Sequence, residues 1–286
     1  MSSEATWRSA DEPEMHAPRG LRDWLRVLRR AIPLAIVVFG CLALLLLLRL
    51  IERPIFGENR PWTPAITRFV CRAAFVILGI KRQVHGLPME GRGAQVANHV
   101  SWLDIFALNA SDRIYFVSKA EVAGWPGIGW LARATGTVFI NRDRREARSQ
   151  AAMFERRLKA GHRLLFFPEG TSTDGLRVLP FKTTLFQAFY ADDLPAFLQV
   201  QPVSVVYHAP EGEDPRFYGW WADMEFGEHF LKVLRQKQQG SVEVIYHPPV
   251  ELHDIGGRKA LAAVCEEAVR EGVASARLAN ARPAQE

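Results

Sequence analysis

His99 and Asp104 are separated by four residues, and their side-chain types could do chemistry together. A carboxylate bonded to one ring nitrogen of an imidazole fixes the tautomer and raises the basicity of the other nitrogen. Such a pair can act as a general base that removes a proton from a hydroxyl group. The separation exceeds one helical turn, so the chain must bend between the two side chains for them to touch. The alternative is a surface histidine near an aspartate at a helix start, because both residue types are common.

A second candidate group lies where an apolar, strand-like run is interrupted by Pro168, Glu169 and Gly170. Proline ends a strand ladder and glycine permits a sharp turn, which would leave the carboxylate at a strand end. Thr171 and Ser172 follow with further hydrogen-bonding groups. The alternatives are a solvated loop carboxylate and an ordinary polar turn.

Both groups need a scaffold that brings strand ends together, and the sequence after residue 83 predicts one. Short runs rich in branched and aromatic residues alternate with helical stretches, which is typical of an α/β domain with a largely buried sheet. Sites in such domains form at the carboxyl ends of strands. The predicted strands are Gln83–His85, Ala94–Ala97, Arg113–Val117, Thr137–Ile140, Arg163–Phe167, Val200–Tyr207 and Val242–Tyr246. The predicted helices are Leu103–Ala110, Arg144–Ala160, Thr183–Tyr190 and Arg258–Ala279.

The N-terminal part of the chain has the pattern of a membrane segment. Residues 31–48 include no charged or strongly polar side chain and reach the lower length limit for crossing a bilayer. Residues 66–80 form a second apolar run, in which Arg68 and Arg72 lie one turn apart. This run predicts a helix in the membrane interface or the second arm of a hairpin. Five arginines before the first run indicate the cytoplasmic side: Arg19, Arg22, Arg26, Arg29 and Arg30.

The topology of these two segments follows from their flanking charges. Basic residues flank both runs, so a single crossing is ambiguous, whereas a hairpin or re-entrant pair leaves the rest of the chain in the cytoplasm, at the inner membrane. A cleavable signal peptide is disfavoured because the run starts late, is long and has no suitable cleavage site. A buried helix of a soluble domain is disfavoured because leucine-rich runs of this length are unusual there.

Composition and charge set limits on the whole chain. Apolar residues make up 48% of the 286 residues, enough for a core and a membrane contact, and the net charge of +5 permits anionic lipid, nucleic acid or an acidic partner. No nucleic-acid motif is present, so nucleic acid is not expected. The three cysteines are widely spaced and predict no metal site. The predicted parts are a disordered segment (1–18), membrane-anchoring helices (19–82), a folded domain (83–280) and a tail (281–286).

Four blocks in this order resemble the lysophosphatidate acyltransferase (PlsC-type) family of glycerolipid acyltransferases. They are His99–Asp104, the segment Gly136–Arg142, Phe167–Thr171 and the segment Val200–Val203 with its proline, Pro202. The resemblance covers residues 80–210 and implies a mixed α/β sheet flanked by helices. Four ordered blocks are far more specific than any one of them, and they favour a catalytic pair over a chance pair at His99 and Asp104.

The resemblance implies a membrane-bound O-acyltransferase. An acyl group would pass from acyl-CoA or acyl carrier protein to the free hydroxyl of a one-chain lipid, with His99 as the general base and Asp104 orienting it. No metal or other cofactor is expected. A basic run from Arg142 to Arg148 could attract the acidic carrier or the phosphates of coenzyme A, or it could be a solvated helix face at the membrane surface. The acceptor-binding residues that the family suggests are Arg142, Glu169, Gly170, Thr171, Ser172 and Lys182.

The choice of acceptor depends on the residue after Pro-Glu-Gly-Thr. Lysophosphatidate enzymes usually have arginine there, which pairs well with phosphate oxygens. Here the residue is Ser172, and Asp174 adds negative charge, although Arg142, Arg177 or Lys182 could still bind phosphate. One hypothesis is therefore 1-acyl-sn-glycerol-3-phosphate as acceptor, giving phosphatidate. The other is lyso-ornithine lipid, because the serine resembles the bacterial lyso-ornithine lipid acyltransferases, which acylate a 3-hydroxy fatty acyl chain. An inactive, membrane-anchored lipid-binding protein is the alternative of another class.

Overall fold

The structure is a computed structural model. It describes residues 7–9, 18, 20–125, 127–140, 147–190 and 198–281. The predicted disorder of 1–18 and the predicted tail 281–286 fall almost wholly on residues outside these ranges. Arg142 and the start of the predicted helix Arg144–Ala160 also lie outside the described residues.

One mixed β-sheet of eight strands, counted within the described residues, organises the domain. The strands are β1 (Lys81–His85), β2 (Gly93–Ala97), β3 (Tyr115–Lys119), β4 (Val138–Ile140), β5 (Leu164–Phe166), β6 (Gln199–His208), β7 (Ser241–Tyr246) and β8 (Val250–Glu251). Their order is β1-β7-β6-β2-β5-β3-β4, with β8 paired to β6. From β6 to β4 all neighbours are parallel, β7 and β8 are antiparallel to β6, and β1 is parallel to β7. The predicted mixed α/β sheet is confirmed.

Helices cover both faces of the sheet. They are α1 (Leu21–Phe56), α2 (Thr63–Leu78), α3 (Leu103–Ser111), α4 (Ile128–Thr135), α5 (Ala147–Lys159), α6 (Phe226–Arg235) and α7 (Arg258–Ala281). Short 3-10 helices form at Ala120–Gly124, Leu185–Tyr190 and Leu252–Asp254. One apolar core joins α1, α2, α3 and α6 to one sheet face, and a second joins α5 and α7 to the other face.

Several predicted elements differ from those observed. The predicted helix Thr183–Tyr190 is a 3-10 helix over Leu185–Tyr190, and α4, α6 and β8 were not predicted. The apolar positions of α6, from Phe226 through Phe230 to Leu234, do follow helical spacing, so a sequence signal for it exists. Helix α1 is longer than the apolar run 31–48, because polar turns at both ends continue it to Leu21 and Phe56.

Helices α1 and α2 pack against each other and also against the α/β domain. Cys71, Phe75 and Leu78 of α2 are buried in the core beneath the sheet. Arg72 is exposed, and its Nε donates to the carbonyl of Ala110 at 2.8 Å, which ties this arginine to the end of α3. Helices α1 and α2 therefore form a helical hairpin, and its second arm is part of the domain core. The division between residues 19–82 and 83–280 stays a prediction, although β1 begins at Lys81.

Among the described helices, α1 is the one long and apolar enough to cross a membrane, judged by length and composition. One face of α1 packs on the protein through Val27, Leu34 and Leu45. The opposite face exposes a row of large apolar side chains, which suits contact with lipid. These exposed residues include Leu25, Ile32, Ile36, Phe39, Leu47, Leu50 and Ile55.

Candidate active site

The candidate site lies at the carboxyl edge of the parallel part of the sheet. Strands β2 and β5 are parallel neighbours, with Val96 opposite Phe166. His99 follows the end of β2 and Glu169 follows the end of β5. Because parallel strands end at the same edge, the two predicted groups are brought together, as the strand pattern indicated.

The chain bends after His99 so that Asp104 reaches back to it. The distance from His99 Nδ1 to Asp104 Oδ2 is 2.7 Å. The same carboxylate oxygen accepts the backbone N–H groups of Val100 at 2.8 Å and Ser101 at 3.0 Å. The Asp104 side chain is fully buried, whereas that of His99 is 21% exposed. Three donors thus converge on one oxygen, and the Nδ1 contact fits the His99 tautomer with its proton on Nδ1.

The loop after β5 holds the backbone of His99 on both sides. Glu169 Oε1 accepts the N–H of His99 at 2.7 Å, and the N–H of Thr173 donates to the His99 carbonyl at 2.9 Å. The Phe167 ring stacks on the imidazole, with 4.0 Å between ring centroids. The two sequence blocks therefore form one unit in which the second fixes the position of the imidazole.

Glu169 lies in an unusual place for an acceptor-binding residue. Its side chain is 1% exposed, and its second oxygen accepts the N–H of Leu179 at 2.9 Å. Burial raises the pKa of Glu169 to about 8; the two N–H donors oppose the shift, while the charge of Asp104 adds to it. Both oxygens are occupied by the backbone, so the geometry gives this carboxyl a part in holding His99 and differs from the direct acceptor contact expected from the sequence.

Comparisons with known proteins decide the family. The family model described as Acyltransferase matches residues 81–208. A lyso-ornithine lipid O-acyltransferase of Rhodobacter capsulatus is 60% identical over 263 residues, which cover 92% of this chain and 95% of that protein. The chain belongs to the PlsC-type acyltransferase family. A 1-acyl-sn-glycerol-3-phosphate acyltransferase of Neisseria gonorrhoeae is 44% identical over 103 residues, which cover 35% of this chain and 40% of that protein.

The fold is also that of a solved member of this acyltransferase family. The crystal structure of PlsC from Thermotoga maritima, a 1-acyl-sn-glycerophosphate (LPA) acyltransferase, matches with a TM-score of 0.64 at 23% identity. The match covers 92% of this chain and 98% of the other. The glycerolipid acyltransferase fold implied by the sequence blocks is therefore confirmed.

The other predicted acceptor-binding residues of the acyltransferase lie around the Pro-Glu-Gly turn. Gly170 has a positive φ of 75° and donates its N–H to the carbonyl of Phe167 at 3.0 Å, so this N–H is engaged within the turn. Thr171 and Ser172 are half-buried, and Lys182 is exposed beside the turn, with its backbone N–H on the Pro168 carbonyl at 2.8 Å. Arg142 follows β4 along the chain but lies outside the described residues.

The carboxylate of Asp174, which the sequence placed near the acceptor, is buried and paired. Asp174 is 2% exposed, and its carboxylate accepts from Arg177 at 3.1 Å and from the N–H of Leu176 at 3.0 Å. Arg277 lies nearby and donates to the carbonyl of Gly175 at 3.0 Å. Asp174 and Arg177 therefore stabilise the loop together, and the negative charge of Asp174 is balanced by a paired guanidinium.

Asn98 was not predicted as a site residue, yet it fixes the strand end that carries His99. Its side-chain nitrogen donates to the carbonyl of Val205 at 2.9 Å, and its oxygen accepts the N–H of Val205 at 2.8 Å. This pair continues the ladder between β2 and β6 by one further rung. The sequence signal was the position of an asparagine directly before the histidine.

Trp102 connects the same loop to α6. Its indole Nε1 donates to His229 Nδ1 at 2.9 Å in the interior, and Phe226 and Phe230 pack around the ring. Burial, followed by the charge of Lys232, lowers the pKa of His229 to about 3, so this imidazole is neutral and can accept the bond. The helix that the sequence did not predict thus supports the loop between His99 and Asp104.

Proposed function

We propose that the chain transfers a fatty acyl group from acyl-CoA or acyl carrier protein to the hydroxyl of lyso-ornithine lipid. The observation that carries the chemistry is the 2.7 Å contact between His99 Nδ1 and the buried Asp104, which leaves Nε2 of the ring available as a base. The acceptor is supported by the Rhodobacter capsulatus relative, which is 60% identical along nearly its whole length.

His99 acts as general base and then as general acid in this proposal. As the lipid hydroxyl oxygen attacks the thioester carbonyl carbon, its proton moves to His99 Nε2. Collapse of the tetrahedral adduct breaks the carbon–sulfur bond, and the departing thiolate takes the proton from the imidazolium. The products are an ester and a free thiol. Asp104 stabilises the imidazolium in between and keeps the ring oriented, so no protein nucleophile is required.

The loop after β5 favours an acceptor whose headgroup has no phosphomonoester. Ser172 brings a hydroxyl where lysophosphatidate enzymes usually have arginine, and Arg177 of the same loop is already paired with Asp174. Lysophosphatidate is the second candidate, favoured by the 44% identical stretch shared with the Neisseria gonorrhoeae enzyme, which spans 103 residues. Gly170, Thr171, Lys182 and Arg142 remain proposed acceptor ligands, while Glu169 acts through the His99 backbone.

We further propose that α1 and α2 hold the domain at the inner membrane with the site facing the cytoplasm. Near one end of α1, Arg30 donates to the carbonyl of Leu234 at 2.7 Å, and near the other, Glu52 accepts the Thr63 hydroxyl at 2.8 Å. A helix that crossed a bilayer alone would leave the domain, whereas α1 keeps contact along its length. A hairpin dipping into one leaflet agrees with these contacts and with the arginines before α1.

The test uses purified protein in detergent with acyl-CoA or acyl carrier protein thioesters. We expect diacylated product from lyso-ornithine lipid and little from lysophosphatidate. Changing His99→Ala should abolish turnover while leaving expression and membrane association intact. His253→Ala is the matched control, because His253 is an exposed imidazole on the distant Leu252–Asp254 turn. Product from neither acceptor, or near-normal turnover in His99→Ala, would refute the proposal.

A substitution at residue 172 tests the choice of acceptor. Ser172→Arg should shift preference toward lysophosphatidate, because guanidinium pairs with phosphate oxygens in two parallel hydrogen bonds. Ser172→Gln adds similar length without charge and serves as control. If the ratio of turnover with the two acceptors is equal in wild type, Ser172→Arg and Ser172→Gln, residue 172 does not determine acceptor specificity.

A further inference from the structure

The two oxygens of Asp104 have unequal surroundings. Oδ2 receives His99 Nδ1 and the N–H groups of Val100 and Ser101. Oδ1 is buried, and among the described residues no donor meets strict hydrogen-bond geometry with it. The hydroxyl of Tyr207 is in the same situation. The two buried groups are neighbours, since the charge of the Asp104 carboxylate raises the pKa of the Tyr207 hydroxyl.

Tyr207 is held rigidly where it faces Asp104. It lies on β6, two residues after Val205, whose backbone is bound on both sides by the Asn98 side chain. Its side chain is 5% exposed, and its ring packs on Tyr218 with 5.5 Å between centroids. Strand pairing and ring packing therefore fix the position of this hydroxyl.

We propose that Tyr207 is a positioning residue of the acyl-transfer site, whose O–H donates to Asp104 Oδ1 and thereby sets the orientation of the carboxylate and the basicity of His99. This inference rests on the proposed role of His99 as the base. Tyr207 touches neither substrate in this arrangement and acts through Asp104.

Tyr207 remains a donor throughout the working pH range. Burial raises the pKa of Tyr207 well above its usual value, and the charge of Asp104 raises it further. A donor on Oδ1 spreads the negative charge over both oxygens, which weakens the pull of Oδ2 on the imidazolium proton. The titratable groups around this pair are Glu169 on the loop after β5, with Arg270 of α7 beyond it, and Tyr218 behind Tyr207.

The deciding variant is Tyr207→Phe. With the donor gone, Oδ2 carries more charge and stabilises the imidazolium, so the acid limb of the kcat/KM profile should move to higher pH by about half a unit. Looser orientation of Asp104 should also lower kcat by about tenfold. An NMR titration of histidine-labelled protein, with the His99 signal identified by its loss in His99→Ala, should show the same upward shift without relying on turnover.

Tyr246→Phe is the matched control. Tyr246 is a tyrosine on β7 with the same 5% exposure and a buried hydroxyl, but it lies near Asp112 and not near Asp104. Its pH profile should coincide with that of wild type. If Tyr207→Phe also coincides with wild type in both measurements, or if Tyr246→Phe shifts equally, Tyr207 has no part in tuning the pair. Turnover retained in His99→Ala would instead refute the proposed function itself.

Discussion

Glu169 accepts N–H groups from two distant parts of the chain, and burial raises its pKa to about 8. A carboxyl whose folded-state pKa lies above its unfolded value stabilises the fold fully at low pH, and this contribution falls as the pH rises. For Glu169 the decline runs from about pH 4.5, the ordinary value, to about pH 8.

The raised pKa of Glu169 predicts how the stability of the fold depends on pH. Glu169→Gln has no proton to lose, so the decline specific to this site should vanish in the variant. We expect the difference in free energy of unfolding between wild type and Glu169→Gln to narrow as the pH rises from about 5 to about 8. Thermal unfolding at several pH values measures this difference, and a constant difference would contradict the raised pKa.

Kinetics of the same variant separate two roles for Glu169. If the carboxyl holds the His99 backbone, Glu169→Gln should lower kcat by about ten- to a hundredfold and leave the KM for the acceptor nearly unchanged. A direct acceptor contact, as the sequence first suggested, would instead raise KM. Glu266→Gln is the control. Glu266 of α7 accepts the N–H of Phe181 at 2.7 Å, and its substitution should leave both constants unchanged.

At the scale of residues, the sequence identified the candidate site side chains but not their hydrogen-bond partners. His99 and Asp104 were predicted as a touching pair because they are close in sequence and only a bend was needed. The partners of Glu169 could not be predicted, since Leu179 and His99 meet it only once the loop is folded. Tyr207 and Asn98 act across strands, and no spacing in the sequence brings them to Asp104 or Val205.

At the scale of elements, α6 supports the loop between His99 and Asp104 through the bond from Trp102 to His229. Trp102→Phe would leave His229 Nδ1 buried without its donor, which costs about 1–3 kcal/mol in addition to lost packing. We expect the free energy of unfolding of Trp102→Phe to be lower than that of wild type by at least this amount. Denaturant or thermal unfolding in detergent measures the difference.

The matched control for Trp102 is Trp220→Phe. Trp220 is half-buried, and its indole donates to the carbonyl of Met224 at 2.8 Å, an acceptor near the surface that water can reach. The same chemical change should therefore cost less there. Equal losses in the two variants would show that ring size, and not the buried bond to His229, accounts for the effect of Trp102→Phe.

Elements with their own strong pattern were predicted, and those that depend on packing were not. The buried strands and α7 have long or regular apolar patterns, so their existence followed from the sequence within a few residues. Helix α4 has eight residues and α6 has ten, lengths at which an isolated helix is marginal in water. Their stability comes from contacts with α1 and with Trp102, so the short helical spacing of α6 was not a sufficient signal by itself.

At the scale of the whole molecule, α1 has one face on protein and the other exposed. Ile36 is 67% exposed and Leu34 is 6% exposed, two residues apart on the same helix. Ile36→Lys should weaken flotation with vesicles, because a lysine in the hydrocarbon region costs about 3 kcal/mol, while the detergent-solubilised fold remains intact. Leu34→Lys should instead destabilise the fold in detergent. If both changes affected only membrane binding, α1 would not lie along the domain.

The sequence could not decide which apolar surface meets lipid and which meets protein. Residues 66–80 have the composition of a membrane segment, yet Cys71, Phe75 and Leu78 are core residues of the α/β domain. Hydropathy reports only that a side chain avoids water, and both environments satisfy it. The direction in which each face of α1 and α2 points depends on the sheet beneath them.

Because α1 contributes Val27 and Leu34 to the domain core while its other face is apolar, a bilayer bound to that face would be thermodynamically linked to folding. Anything that binds the folded state and not the unfolded chain stabilises the fold by RT ln(1 + [L]/Kd). The unfolding midpoint of the α/β domain should therefore rise with lipid concentration. Phospholipid would serve this acyltransferase as a folding ligand, so the catalyst would be most stable on the surface where its substrate is found.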